Sequence, residues 1–114
     1  MEPMKNRQFV AGQVLFTAGT VADEAYLIRS GKVEIYDVVG GQRKVYATRG
    51  PGEIFGEIAL LDGQRRSASA KALVDTDVIV VTQPLLKAEL SKTPALVQRL
   101  ITAYLKVIRT ANAR

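Results

Sequence analysis

Glycine and proline cut most of this chain into pieces too short for helices and about right for strands. Phe9–Ala11 and Val14–Phe16 are brief apolar runs split by Gly12, and Ala18–Asp23 reads as a loop around Gly19. Ala25–Arg29 and Lys32–Val38 predict paired strands about the tight turn Ser30-Gly31. Gly40-Gly41 is a hairpin signal, and Arg43–Arg49 returns from it with Val45 and Ala47 expected on one face. Gly50-Pro51-Gly52 is a firm break. Ser69–Val74 alternates small and apolar residues, Asp75-Thr76-Asp77 predicts a turn, and the β-branched run Val78–Val81 predicts a buried strand. Short strands with turns every 8–12 residues or so indicate a sandwich or barrel.

Past residue 83 the pattern changes in kind. Pro84 suits the first turn of a helix over about Leu85–Leu90, and Ser91–Pro94 interrupts it. Thr93 is the expected N-cap of a second helix, with Pro94 at its first position. Two apolar stripes follow at helical spacing, Leu96/Leu100/Tyr104/Val107 and Val97/Ile101/Leu105/Ile108. Together they are wider than one packing face requires, so the helix is either core or a surface for a second copy or an effector. Residues 1–8 are polar and predict a flexible tail. One domain is expected over 9–114, with a barrel to about residue 83 and helices over about 85–110.

Two absences narrow the function. The chain has no cysteine and no histidine. That removes thiolate nucleophiles, zinc-thiolate sites, the commonest metal ligand and the usual general base at neutral pH. No metal site and no catalytic residue is expected, and a metal-dependent jelly-roll enzyme is disfavoured. The net charge of +5 could attract nucleic acid, but no basic run with interleaved aromatics is present, so a nucleic-acid partner is not expected. No apolar run is long enough to span a bilayer, and the polar N-terminus carries no secretory signal, so the expected location is cytoplasmic.

The stretch with chemistry is Phe55-Gly56-Glu57-Ile58-Ala59-Leu60-Leu61-Asp62-Gly63-Gln64-Arg65-Arg66-Ser67-Ala68-Ser69. A helix starting at Gly56 would present unsatisfied N–H groups to an anion, and glycine lets backbone approach a ligand closely. Arg66 can fold back to add a planar fork of donors, and Ser67 a hydroxyl. Arg65 and Arg66 are adjacent, so only one can enter a pocket on an extended segment. Glu57 would be repelled by the anion and is expected to accept from neutral hydroxyls. Phosphate with a vicinal hydroxyl means a sugar phosphate or nucleotide.

These residues resemble the phosphate-binding cassette of the cyclic-nucleotide-binding domain family, which reads F-G-E-[LIV]-A-L, a variable loop, then R-[SAT]-A-[ST]. Gly12, Gly19 and Gly31 also fall where that family places turn glycines; many members carry proline where this chain has Arg65. The resemblance implies a mainly β fold with α elements: an eight-stranded jelly-roll β-barrel (double-stranded β-helix) with a short cassette helix and C-terminal helices. It implies a regulatory, non-enzymatic module without cofactor, whose ligand is cAMP in preference to cGMP. Its register makes Arg66 the phosphate arginine and Glu57 the ribose acceptor. Ser67 and Ala68, with the backbone of Gly56, Ile58 and Ala59, complete the anion shell. Ala47, Ile54 and Phe55 are expected beside the sugar and base, and Tyr104, Ile108 or Arg109 over the purine. Ser67 can touch both phosphate and a guanine amino group, so the cAMP preference is expected to be modest. Movement of the C-terminal helix would carry the signal. The alternative is a ligand-free structural or dimerisation module of the same fold.

Overall fold

The computed structural model describes residues 4–112. Eight strands, β1 (Lys5–Phe9), β2 (Val14–Phe16), β3 (Glu24–Ser30), β4 (Val33–Val39), β5 (Gln42–Arg49), β6 (Ile54–Phe55), β7 (Ser69–Ala72) and β8 (Thr76–Thr82), form the body. A short helix α1 (Glu57–Asp62) interrupts them, and α2 (Gln83–Ser91) and α3 (Ala95–Asn112) follow. The strands make two antiparallel four-stranded sheets, ordered β1-β8-β3-β6 and β2-β7-β4-β5. This is the expected jelly roll, but among the described residues the two sheets are not joined into a closed barrel. Open edges therefore remain, and the edge strand β5 carries Arg43, Lys44 and Arg49, charges of the kind that discourage edge-to-edge pairing.

Inward residues of both sheets meet in one core that includes Phe9, Tyr26, Ile28, Val33, Phe55, Ala72, Val78 and Val80. Each fully buried valine or isoleucine is worth roughly 1.5–3 kcal/mol relative to leaving it exposed. The aromatic rings form a chain: Phe9 meets Tyr26 edge-on at 6.2 Å, Tyr26 stacks on Phe55 at 5.2 Å, and Phe55 on Phe16 at 6.2 Å. That chain ends under the cassette.

Several local expectations are corrected. Lys5–Gln8 is not tail: it pairs with β8 from Lys5↔Val80 to Gln8↔Asp77. Pairing uses backbone groups, so the polar side chains of Lys5–Gln8 can face water while the backbone completes the outer side of β8. Residues 1–3 of the predicted tail lie outside the described residues. Thr76 and Asp77 open β8 rather than turning the chain. Thr76 is buried, and its hydroxyl donates to the Val74 carbonyl at 2.8 Å and accepts the Lys32 N–H at 3.2 Å. Gly31 is required beside it, because φ is +105° and a Cβ there would sit 2.4 Å from Thr76 Oγ1. Thr93 does not cap α3; its hydroxyl donates to the Glu89 carbonyl at 3.2 Å and closes α2 instead. The cap that does form is Thr82, which accepts from the Leu85 N–H at 3.3 Å to start α2.

Candidate functional site

The site grows from the short β6 strand. Phe55 points into the core, so the chain must turn sharply at Gly56 to begin α1. Gly56 has φ +78°, and a Cβ on it would lie 2.8 Å from Arg66 Nη1 and 3.2 Å from Phe16 Cε2. No side chain caps α1. Beyond the helix the chain returns along residues 64–68, pinned by the Arg66 N–H donating to Thr20 O and the Gly19 N–H to Arg66 O, both at 2.8 Å.

Those two bonds aim Arg66 inward. It is only 5% exposed, and its guanidinium lies 4.0 Å from the centre of the Phe16 ring. Nη1 donates to Gly56 O at 2.7 Å and Nη2 to Glu24 O at 2.6 Å, while the buried Nε has no partner. Among the described residues no carboxylate forms an ion pair with it. Burial pushes its pKa down, against the pull of the Tyr26, Asp23, Glu24 and Glu57 charges. An arginine remains protonated even so. The carboxylate of Glu24, whose backbone carbonyl accepts from Arg66, is itself held by Arg7 and by the Tyr26 hydroxyl at 2.6 Å. Burial works to raise the Glu24 pKa, but those two donors outweigh it and leave it below the usual carboxylate range. Arg65 lies at the surface, donating to Gly19 O at 3.1 Å, so Arg66 alone of the pair enters the interior.

A cavity of about 280 Å³ opens in front of Arg66. The cassette residues Gly56, Glu57, Ile58, Ala59, Arg66, Ser67 and Ala68 all line it, and so do Ala47, Ile54 and Phe55. Its remaining wall was not anticipated: Phe16, Ile35, Tyr46 and Arg49. Tyr46 escaped because of a bulge. Ile35 pairs with Ala47 but Tyr36 pairs with Val45, so Tyr46 is an extra residue, and Val45 and Ala47 fall on opposite faces rather than one. Arg49 pairs with the fully buried Val33, which places it on the inner face two residues from Ala47.

Tyr104, Ile108 and Arg109 do not line this cavity. Arg109 is engaged elsewhere, with Nε 2.5 Å from Asp62 Oδ2, and Nη2 3.0 Å from Asp62 Oδ1 and 3.2 Å from the Arg65 carbonyl. Burial would raise the Asp62 pKa, but Arg109 and the Gln64 N–H hold it below its usual value. A groove of about 880 Å³ lies beside this contact, between residues 61–67 and Thr102, Leu105, Lys106 and Arg109 of α3. The first stripe of α3 points to water: Leu96 is 70% exposed and Tyr104 62%. Among the described residues no helix is long and apolar enough to cross a membrane.

The two-sheet jelly roll thus carries a buried arginine, without a carboxylate partner among the described residues, in the wall of a cavity. The comparisons make the class specific. The profile of the cyclic nucleotide-binding domain family matches residues 6–93, and the chain belongs to that family. It is 34% identical to the cyclic AMP receptor protein of Thermus thermophilus over 95% of this chain and 50% of that one. The EAL enzyme Bd1971 in its cAMP-bound form superimposes with a TM-score of 0.90 at 36% identity, covering 95% of this chain and 29% of that chain. Its cGMP-bound form gives 0.89 at 36% identity, over 94% and 29%. The chain thus spans half or less of these relatives' lengths. The family is a regulatory one.

Proposed function

We propose that this chain is a regulatory receptor domain that binds cAMP in modest preference to cGMP, performs no chemistry and uses no cofactor. The observation that carries the reading is Arg66: nine-tenths buried, without a carboxylate, and with an unpartnered Nε beside a cavity. A buried charge without its counterion is costly, and a cyclic phosphate supplies the missing one. Glu57 lines the same cavity and serves the ribose hydroxyl. The relatives solved with cAMP and with cGMP support the ligand class.

The signal leaves through α3. Arg109 grips Asp62 at the end of α1 and the carbonyl of Arg65, the residue next to Arg66, so a shift of the cassette on phosphate binding acts on the helix directly. A second copy or an effector covers the outer stripe of α3. The exposure of that stripe also favours the alternative, a ligand-free assembly module of the same fold. Calorimetry with cAMP and cGMP on the purified chain decides between them. Binding of cAMP that exceeds cGMP by less than about a hundredfold, some 2.7 kcal/mol, supports the receptor; no heat with either nucleotide at millimolar concentration overturns it.

A further inference from the structure

We infer that Arg7, on the edge strand β1, is a positioning residue for the anion site. It holds the Glu24 carboxylate away from Arg66 and so keeps that guanidinium free for a phosphate. The inference rests on the cyclic-nucleotide reading and adds to it a residue outside the cassette that lines neither cavity described above. β1 and β3 are not neighbours in their sheet, since β8 lies between them. The Arg7 side chain crosses that strand to reach Glu24, pairing Nη1 with Oε1 and Nη2 with Oε2, the latter at 3.3 Å. Tyr26 donates to Oε1 of the same carboxylate at 2.6 Å.

Left unheld, Glu24 is placed to neutralise Arg66. Nη2 of Arg66 donates to the Glu24 backbone carbonyl at 2.6 Å. A carbonyl oxygen sits about 2.4 Å from its own Cα, so Nη2 is within roughly 5 Å of the Glu24 Cα. A glutamate side chain spans about that length, and a change of rotamer would bring carboxylate to guanidinium. Burial is the largest influence on the pKa of each group, yet each also feels the charge of the other. The rings complete the cluster: Tyr26 stacks on Phe16 at 6.2 Å, and the Arg66 guanidinium lies over Phe16 at 4.0 Å.

The contact has little to offer as a plain structural tie. The Arg7 and Glu24 side chains are 44% and 19% exposed, and ion pairs so placed add little to stability. Its consequence is one of orientation. A carboxylate offers the guanidinium fork the same negative charge and paired acceptors as a phosphate, so the two would compete for Arg66. With Arg7 in place, what Glu24 gives to Arg66 is a neutral carbonyl, and the arginine's charge stays uncompensated.

Calorimetric titration of cAMP onto the parent, Arg7→Met, Glu24→Gln and the double variant tests this. Methionine removes the charge of Arg7 and keeps an unbranched side chain. Glutamine keeps an acceptor for the Tyr26 hydroxyl and removes the competing charge. Arg7→Met is expected to lower cAMP affinity roughly 3- to 30-fold when Glu24 is present, and to have little effect when made on top of Glu24→Gln. Loss of a distant positive charge, or of packing on β1, would instead weaken binding equally in both backgrounds. A loss as large on Glu24→Gln as on the parent, or no loss on either, overturns the inference and leaves the receptor reading standing. A parent that binds neither cAMP nor cGMP defeats both. Should Arg7→Met fail to fold, Arg7→Gln, which keeps a polar side chain at the exposed edge, carries the same comparison with the same expected signs.

Discussion

The cassette and the C-terminal helix lie within reach of each other yet are held by opposite means. Arg66 is buried, fixed by two backbone carbonyls and an aromatic ring, and its own backbone is bonded to the loop at Gly19 and Thr20. The helix α3 has its outer apolar stripe in water, and Arg109 ties it to the body through Asp62 and the Arg65 carbonyl. A helix of this length is marginal in water without docking. On the proposed reading the contrast separates the tasks: the cassette holds the ligand, whereas α3, tied less closely, is the part a ligand would move. A ligand can shift such a helix only by differing in affinity for its docked and undocked states.

The sharpest way to break the comparison is at the cassette. Arg66→Ala removes one partner of a desolvated charge pair and is expected to cost about 2–5 kcal/mol of cAMP affinity, tens- to thousands-fold. Glu57→Ala removes acceptors from neutral hydroxyls and should cost less, roughly 1.5–3 kcal/mol. Calorimetry on both variants checks the order. An Arg66→Ala variant that binds as well as the parent would remove the phosphate assignment.

The next effect concerns the helix. If α3 is the responsive part, cAMP should raise hydrogen-exchange protection over residues 95–108 as well as in the cassette. Removal of the chain from Ala95 onward should lower cAMP affinity by about tenfold, about 1.4 kcal/mol, and not abolish it. Protection that rises in the cassette alone would make α3 a static element.

Which parts of this division were legible in the sequence follows from how local each signal is. The cassette was legible because its glycine, acid and arginine sit within eleven residues and each type answers one chemical need. Ser30-Gly31 and Gly40-Gly41 were legible for the same reason. Lys5–Gln8 was not, because strand pairing at an edge is made by backbone and leaves no apolar pattern. Tyr46 was hidden by a bulge, which breaks alternation without a mark in composition. The place of Arg109 was hidden too: its partner Asp62 lies 47 residues away, and only the packing of α3 on α1 brings them together.

The smallest expected effect tests that last contact. The Asp62 and Arg109 side chains are 14% and 24% exposed, so the pair is partly screened and worth about 0.5–1 kcal/mol to docking. Because the folded Asp62 pKa lies below its unfolded value near 3.8, this contribution is full above that value. It is lost as pH falls through the still lower folded pKa. Docking should therefore be constant from about pH 5 to 8 and loosen only in stronger acid. The absence of cysteine allows spin labels at Gln64→Cys and Thr110→Cys to follow the distance between cassette loop and helix. The parent should hold one short distance at neutral pH, and Asp62→Asn should broaden it there as acid does in the parent. With the label pair in place, cAMP should narrow the broadened distribution, since the phosphate acts on the same segment through Arg66. A distance that stays sharp in Asp62→Asn would mean that apolar contacts at Leu105 hold the helix and that the ion pair is incidental.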